Sequence, residues 1–234
     1  MLPKCRLTHI PARMLVASLV LKSLVIANEV QVESGVLRDA RSLMVSITPI
    51  ITTSDRQEKP SVVGLVVTDD GSVLTSCHLM GKAAEFQVEF PNGRRFISKS
   101  MTFDAETDVA IIRLELNEKL TVLDWSDKKD VEVGAPVLCV AVDPQKSAAV
   151  ARGIISAKVD NVISHEPHLL IDVSNGAGVG CSIVIDRMGK VAGFIGHQAA
   201  GSHIAGRISA IPSYRIAQIV RELSSKGTVE RTRK

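Results

Sequence analysis

The sequence predicts an all-β barrel or sandwich closed by a single C-terminal helix. Three observations carry this expectation. Apolar runs of strand length recur from about residue 43 to 211, separated by turn residues at the roughly 8–12-residue spacing of antiparallel β folds. Two of those turns, Asp70-Gly71 and Asn92-Gly93, are dipeptides that favour the positive φ of tight hairpins. Only near the C-terminus does the apolar period lengthen to that of a helix, at Ile216, Ile219, Val220 and Leu223.

The elements follow in order. "SLMVSITPII" (43–52) is the first strand run, followed by the polar loop "TTSDRQEKP". "SVVGLVVTDDGSVLTS" is a hairpin of two β-branched runs about Asp70-Gly71, and "EFQVEF" and "RRFISKS" form a second about Asn92-Gly93. "TDVAIIRLEL" is a short buried strand. A second set begins near residue 120: "VEVGAPVLCVAV", the stretch from Val150 to Asp160, "HLLIDV", "CSIVID" and "VAGFIG". Arg187-Met188-Gly189-Lys190 turns the chain between the last two. Pro212-Ser213 offers a helix start, Gly227 a stop, and residues 228–234 form a polar tail.

Composition narrows the function classes. The chain has 234 residues, 45% hydrophobic but only 3% aromatic, so Val, Ile, Leu and Ala must fill the core. A net charge of +3 from 28 basic and 25 acidic residues is too weak for a nucleic-acid binder. The four cysteines (Cys5, Cys77, Cys139, Cys181) contain no CxxC pair, so neither a zinc site nor any other metal or cofactor is expected. Cys139, within "APVLCVAV", reads as a small buried apolar residue.

Residues 1–27 stand apart. "MLPKCRLTHIPAR" is basic and free of acids, and "MLVASLVLKSLVIA" is an apolar run ending in small residues. That order is the order of a secretory signal, and the run is too short to span a bilayer. An exported protein, periplasmic or secreted, is expected, with organelle targeting as the alternative reading of the same basic segment.

Two residues and one turn stand out for chemistry. His78 lies just past an apolar strand in "GSVLTSCHLMGKA", Asp108 opens the next buried strand in "FDAETDVAIIRL", and a glycine-rich turn spans 176–180. Each alone has a bland reading: a structural histidine, a cap, a tight backbone. Together they match what acyl transfer requires, namely a base, an acid that orients it, and a nucleophile beside free backbone N–H groups.

On these residues the chain resembles the HtrA-type branch of the trypsin-like (chymotrypsin-fold) serine proteases, over about residues 45–227. The resemblance rests on "DDGSVLTSCHLM", "NGRRFISKSMTFDAETDVAIIRLE", "VEVGAPVLCVAVDP", "ARGIISAKV", "LLIDVSNGAGVGCSIVIDRMGKVAGFIG" and "SAIPSYRIAQIVRELSSKG". It implies a double six-stranded β-barrel, about 43–118 and 120–211, with a C-terminal helix at 213–226, all within a peptidase domain of residues 28–227. It implies His78 as the base and Asp108 as its orienting acid. No PDZ domain is expected after the helix.

The nucleophile motif departs from the family. Aligned without gaps from Asp172 to Gly189 and Gly193, the chain puts Gly178 on the motif's first glycine, Val179 on its asparagine and Gly180 on its serine. Cys181 and Ser182 replace the two glycines that follow. A glycine cannot attack a carbonyl, and loss of a triad serine removes about 10⁶ in kcat. The resemblance therefore implies a pseudoprotease that binds a peptide or an unfolded protein segment. Cys181 is the alternative nucleophile of an active endopeptidase, reached by a one-residue shift. Cys77 and Cys181 both flank the site, as a potential disulfide or as two buried thiols.

The strand that presents a peptide backbone has also changed. "AGRISAIP" keeps Gly206 and Ala210-Ile211-Pro212, while Ile208 replaces a glycine and would narrow a specificity pocket. An extended peptide can still pair through main-chain bonds. A homo-oligomer is a further expectation from the relatives. Three features take a bland reading: the His165-Glu166-Pro167-His168 run is a surface turn rather than a metal pair, Trp125 is a packing anchor between barrels, and His197 and His203 bracket a loop without an assignable partner.

Overall fold

Among the described residues, thirteen strands and three helices pack as two antiparallel sheets with helical covers. The computed structural model describes residues 35–51, 61–126, 131–142, 148–160, 167–173, 182–196 and 207–225. Residues 38–234 form one unit and residues 1–37 another. Helix α1 (35–43) precedes the first strand, with Ala40 and Leu43 buried.

The first sheet is built from β1 (Met44–Ile50), β2 (Val62–Val66), β3 (Ser72–Ser76), β4 (Glu85–Glu89), β5 (Arg95–Ser98), β6 (Met101–Asp104) and β7 (Val109–Arg113). Their order is β5-β4-β1-β2-β3-β7-β6. The double-barrel class holds, but this sheet is an open half-barrel of seven strands rather than a closed barrel of six. Its edge strands β5 and β6 are joined only by Lys99 and Ser100, so the chain turns a corner there. Polar bonds replace a ladder at that corner: Ser98 Oγ donates to the carbonyl of Arg113 at 2.5 Å, and the Arg113 N–H donates to the carbonyl of Ser100 at 3.0 Å. The two predicted hairpins are present, with Gly71 at φ 94° and Gly93 at φ 85°.

The second sheet closes. It contains β8 (Pro136–Val142), β9 (Ala148–Asp160), β10 (Pro167–Val173), β11 (Ser182–Asp186), β12 (Val191–Ile195) and β13 (Ile208–Pro212), in the order β10-β13-β12-β11-β8-β9. Alternation along each strand points Val137, Cys139, Ile155, Ile171, Val184 and Ile195 into one core. Burial of each such aliphatic chain contributes roughly 1.5–3 kcal/mol, which compensates for the scarcity of aromatics. Cys139 is fully buried, as expected, and desolvation pushes its thiol up to about 12. Where β9 crosses β10, Gly153 has no room for a side chain: a Cβ would lie 2.5 Å from the carbonyl oxygen of Asp172.

Helix α2 (Cys77–Met80) is a single turn after β3, and α3 (Ser213–Ser225) follows β13 directly. The predicted apolar face of α3 is buried through Ile216, Ile219, Val220 and Leu223. It packs on β12 and β13 and reaches back to β6 and β7 of the first sheet. Arg113 Nη2 donates to the carbonyl of Ser224 at 2.7 Å, so a first-sheet cation neutralises the carbonyl end of the helix. Ser213 does not cap that helix through its hydroxyl; it donates instead to the buried carbonyl of Ser126 at 2.8 Å and ties α3 to the inter-sheet linker. Trp125 of the same linker forms a parallel bridge with Val191, so its backbone joins the second sheet.

Candidate active site

β3 and β7 are hydrogen-bonded neighbours, with Ser76 opposite Val109. That pairing brings the residues just past the end of β3 beside those just before β7. His78 therefore meets Asp108 across 30 residues of sequence.

The contact has three points. His78 Nδ1 lies 2.7 Å from Asp108 Oδ2, the His78 N–H donates to Asp108 Oδ1 at 2.9 Å, and the Cys77 N–H donates to the Asp108 carbonyl at 3.1 Å. The acid is therefore held at both carboxylate oxygens and at its own backbone. Its side chain is 12% exposed, against 32% for the imidazole. Asp108 is also the only non-glycine residue with positive φ among the described residues, at 57°. Aspartate tolerates this left-handed conformation better than most residues, and it persists only where surrounding contacts enforce it.

The arrangement fixes a tautomer. A carboxylate only accepts, so the Nδ1 beside it carries the proton and the neutral ring keeps Nε2 as its acceptor. A histidine held this way is oriented to take a proton from a group placed at Nε2.

The closed barrel brings one of its ends to this pair. Gly196 follows β12, and a Cβ there would lie 3.4 Å from Ser76 Oγ and 4.0 Å from Asp108 Oδ2. In the antiparallel barrel, the exit of β10 at Val173, the entry of β11 at Ser182 and the entry of β13 at Ile208 lie at that same end. The sequence between β10 and β11 carries Gly178, Val179, Gly180 and Cys181, and the sequence before β13 carries Gly206; all five lie outside the described residues. So do His165, His197 and His203 and any pairing of Cys77 with Cys181. Ser182, which replaces a family glycine, is fully buried at the start of β11. Ile208 is fully buried among the barrel core residues.

Among the described residues, no cluster of His, Cys, Asp and Glu is placed to hold a metal ion. No described helix is long and apolar enough to cross a membrane. Two neighbours of the pair had no sequence signal as such: the Cys77 N–H, which acts through its backbone, and Gly196, which brings the end of β12 beside Ser76 and Asp108.

Residues 62–194 match the family model of the trypsin-like peptidase domain. The chain belongs to that family, in its HtrA-type branch. It is 28% identical over 174 residues to a probable periplasmic serine endoprotease DegP-like of Chlamydia trachomatis, covering 72% of this chain and 34% of that protein. It is equally identical, with the same coverage, to the protein of that name in Brucella suis. A serine protease Do-like HtrA of Lactobacillus helveticus is 24% identical over 184 residues, 74% of this chain and 45% of that protein. The chain thus spans about a third of the length of its DegP-like relatives. The trypsin-like frame explains why residues from β3, β7 and β12 converge: such sites are assembled where two sheets meet.

Proposed function

We propose that this trypsin-like domain is a catalytically silent protease homologue that binds an extended peptide or an unfolded protein segment. The observation that carries the proposal is the pairing of His78 with Asp108 in a chain whose sequence has Gly180 at the serine position. A base and its orienting acid remain, while the group they would activate is missing. His78 and Asp108 are proposed as the residual base and acid, and Gly178 and Val179 as the remnant of the oxyanion turn. Gly206 and Ile208 are proposed to flank the bound strand, which would pair through main-chain bonds. The periplasmic relatives and the basic, apolar leader support export of this chain.

A second reading is an active endopeptidase with Cys181 as nucleophile. It is favoured by the 2.7 Å His78–Asp108 contact, because a tautomer-fixed base also activates a thiol. Digestion of casein by the purified protein, beside Gly180→Ser and Cys181→Ala variants, separates the two. The expected result is an inert wild type and a cleaving Gly180→Ser. Cleavage by wild type that is lost in Cys181→Ala would replace the first reading with the second.

A further inference from the structure

Exposed apolar surface is concentrated on one part of the second barrel. Among the described residues, five large apolar side chains are strongly exposed, and four of them, Val133, Val150, Ile154 and Met188, lie on β9 or on turns beside β8. These four are 45–66% exposed, and Pro136 at the start of β8 is exposed with them. Only Ile97, on β5 of the first sheet, lies elsewhere. Apolar side chains scattered singly over a surface are ordinary, whereas a cluster of them marks a contact surface.

Strand register sets a row of side chains across this face. Ile154 of β9 pairs with Pro136 of β8 on one side and with Asp172 of β10 on the other. Val137 pairs with Asp186 of β11, so Arg187, the next residue, stands beside Pro136. Val137, Ile155 and Ile171 belong to the barrel core, so their neighbours Pro136, Ile154 and Asp172 project outward. The row reads cation, two apolar residues, anion, over about 15 Å at the usual strand spacing. Arg187 and Asp172 are exposed, and among the described residues neither has an ion-pair partner. β8 is laddered to both β9 and β11, and β9 from Gly153 onward to both β8 and β10. An incoming strand therefore finds no edge here, and a partner must meet the side chains of the face.

We infer that this face binds a second copy of the chain about a twofold axis, with Arg187 of each copy facing the partner's Asp172. Rotation by 180° about an axis that lies in the contact plane and runs along the strands reverses the row. Cation then meets anion at both ends, and Ile154 meets the partner's Pro136 at the centre. A lipid surface of either charge would meet one end of the row with like charge; an inverted copy meets neither. The barrel wall is curved, so the ends of the row fall back from the contact, and the length of the arginine side chain bridges that gap. The patch is small against the roughly 800 Å² per partner of a standard interface, so association is weak and concentration-dependent. The inference stands apart from the reading of the His78 site.

Sedimentation equilibrium of the full-length protein, over roughly 1–200 µM as suits a weak interface, tests this with two charge reversals, Arg187→Asp and Asp172→Arg. Both side chains are exposed, so both variants should fold as wild type. The wild-type mass is expected to rise with concentration from 25.1 kDa toward twice that value. Each variant alone places like charges at both ends of the row and should associate at least about tenfold more weakly, a loss of about 1.4 kcal/mol. An equimolar mixture of the two variants should dimerise again, because one copy then carries two anions and the other two cations. A wild type that stays monomeric throughout would overturn the inference, as would a mass that converges on three or more copies. So would single variants that associate like wild type, the result expected if the apolar leader drives assembly, or a mixture that fails to recover.

Discussion

Two histidines in this chain are fixed in the same way by different partners. His78 is held through Nδ1 by the Asp108 carboxylate at 2.7 Å, and His168 through Nδ1 by the Ser209 hydroxyl at 2.6 Å. The distances are nearly equal but the consequences are not. A carboxylate can only accept, which leaves one tautomer for the neutral His78 ring. A hydroxyl can donate or accept, so Ser209 orients the His168 ring without choosing its tautomer. Asp108 adds two further constraints, bonds from the Cys77 and His78 N–H groups, that tie its own position to the turn carrying its partner. Only the first arrangement presets a proton acceptor at Nε2. Proximity to an oxygen orients a ring, whereas the kind of oxygen determines what the ring can do.

That contrast breaks most readily in a background expected to cleave. In Gly180→Ser, replacing Asp108 with Asn supplies an amide N–H to Nδ1 and imposes the wrong tautomer. Casein cleavage should fall about 10⁴-fold, the loss seen when a triad acid becomes an amide. Ser209→Ala in the same background should change it less than about twofold. Comparable losses in both would mean that the two histidines are not distinguished by their partners.

A smaller effect tests the strand pair that carries His168 at one end and leads toward the glycine-rich sequence of residues 176–180 at the other. Gly153→Ala drives a methyl group to 2.5 Å from the carbonyl oxygen of Asp172, and backbone cannot retreat as a side chain can. A destabilisation of about 1–3 kcal/mol is expected from such overpacking, or a Tm lower by roughly 2–10 °C. Calorimetry that finds no change would show that β9 and β10 can separate there at no cost.

The smallest effect belongs to the hairpin that leads into β3 and hence to His78. Hydrogen bonds, first from the Thr68 hydroxyl and then from Ser72, hold the Asp70 carboxyl below the usual carboxylate range, against a smaller opposing effect of burial. A depressed folded-state pKa means stability that is present above the unfolded value of about 4 and is lost as pH falls through the folded value. Asp70 is largely exposed, so solvent screening keeps this below about 1 kcal/mol. Urea unfolding should show Asp70→Asn less stable than wild type at pH 7, with the difference shrinking as the pH falls below about 4.

Much of the architecture could be read from local sequence. Asp70-Gly71, Asn92-Gly93 and the turn at Gly189 each appear as turns with positive-φ glycines, and the periodicity of Ile216, Ile219, Val220 and Leu223 gave the buried face of α3. β6 was not legible. "MTFD" is four residues long and ends in acid, and no turn signal separates it from β5; only its ladder with β7 makes it a strand. Helix α1 was likewise unforeseen, and Ser213, read as a cap, proved to be a tie to Ser126.

The sequence by itself determined most of the strands and the glycine turns between them, and that a histidine, an acid and a serine-less glycine turn occur in the order of a trypsin-like site. Those properties are local, set by alternation, by φ preferences and by residue identity. Only the tertiary structure decided that the first sheet stays open at the Ser98 corner, that Asp108 sits in a left-handed conformation to hold His78 at two points and the Cys77 N–H at a third, and that the end of β12 lies against that grip through Gly196. Each of these depends on strand register and on the meeting of segments tens of residues apart, which no local preference encodes.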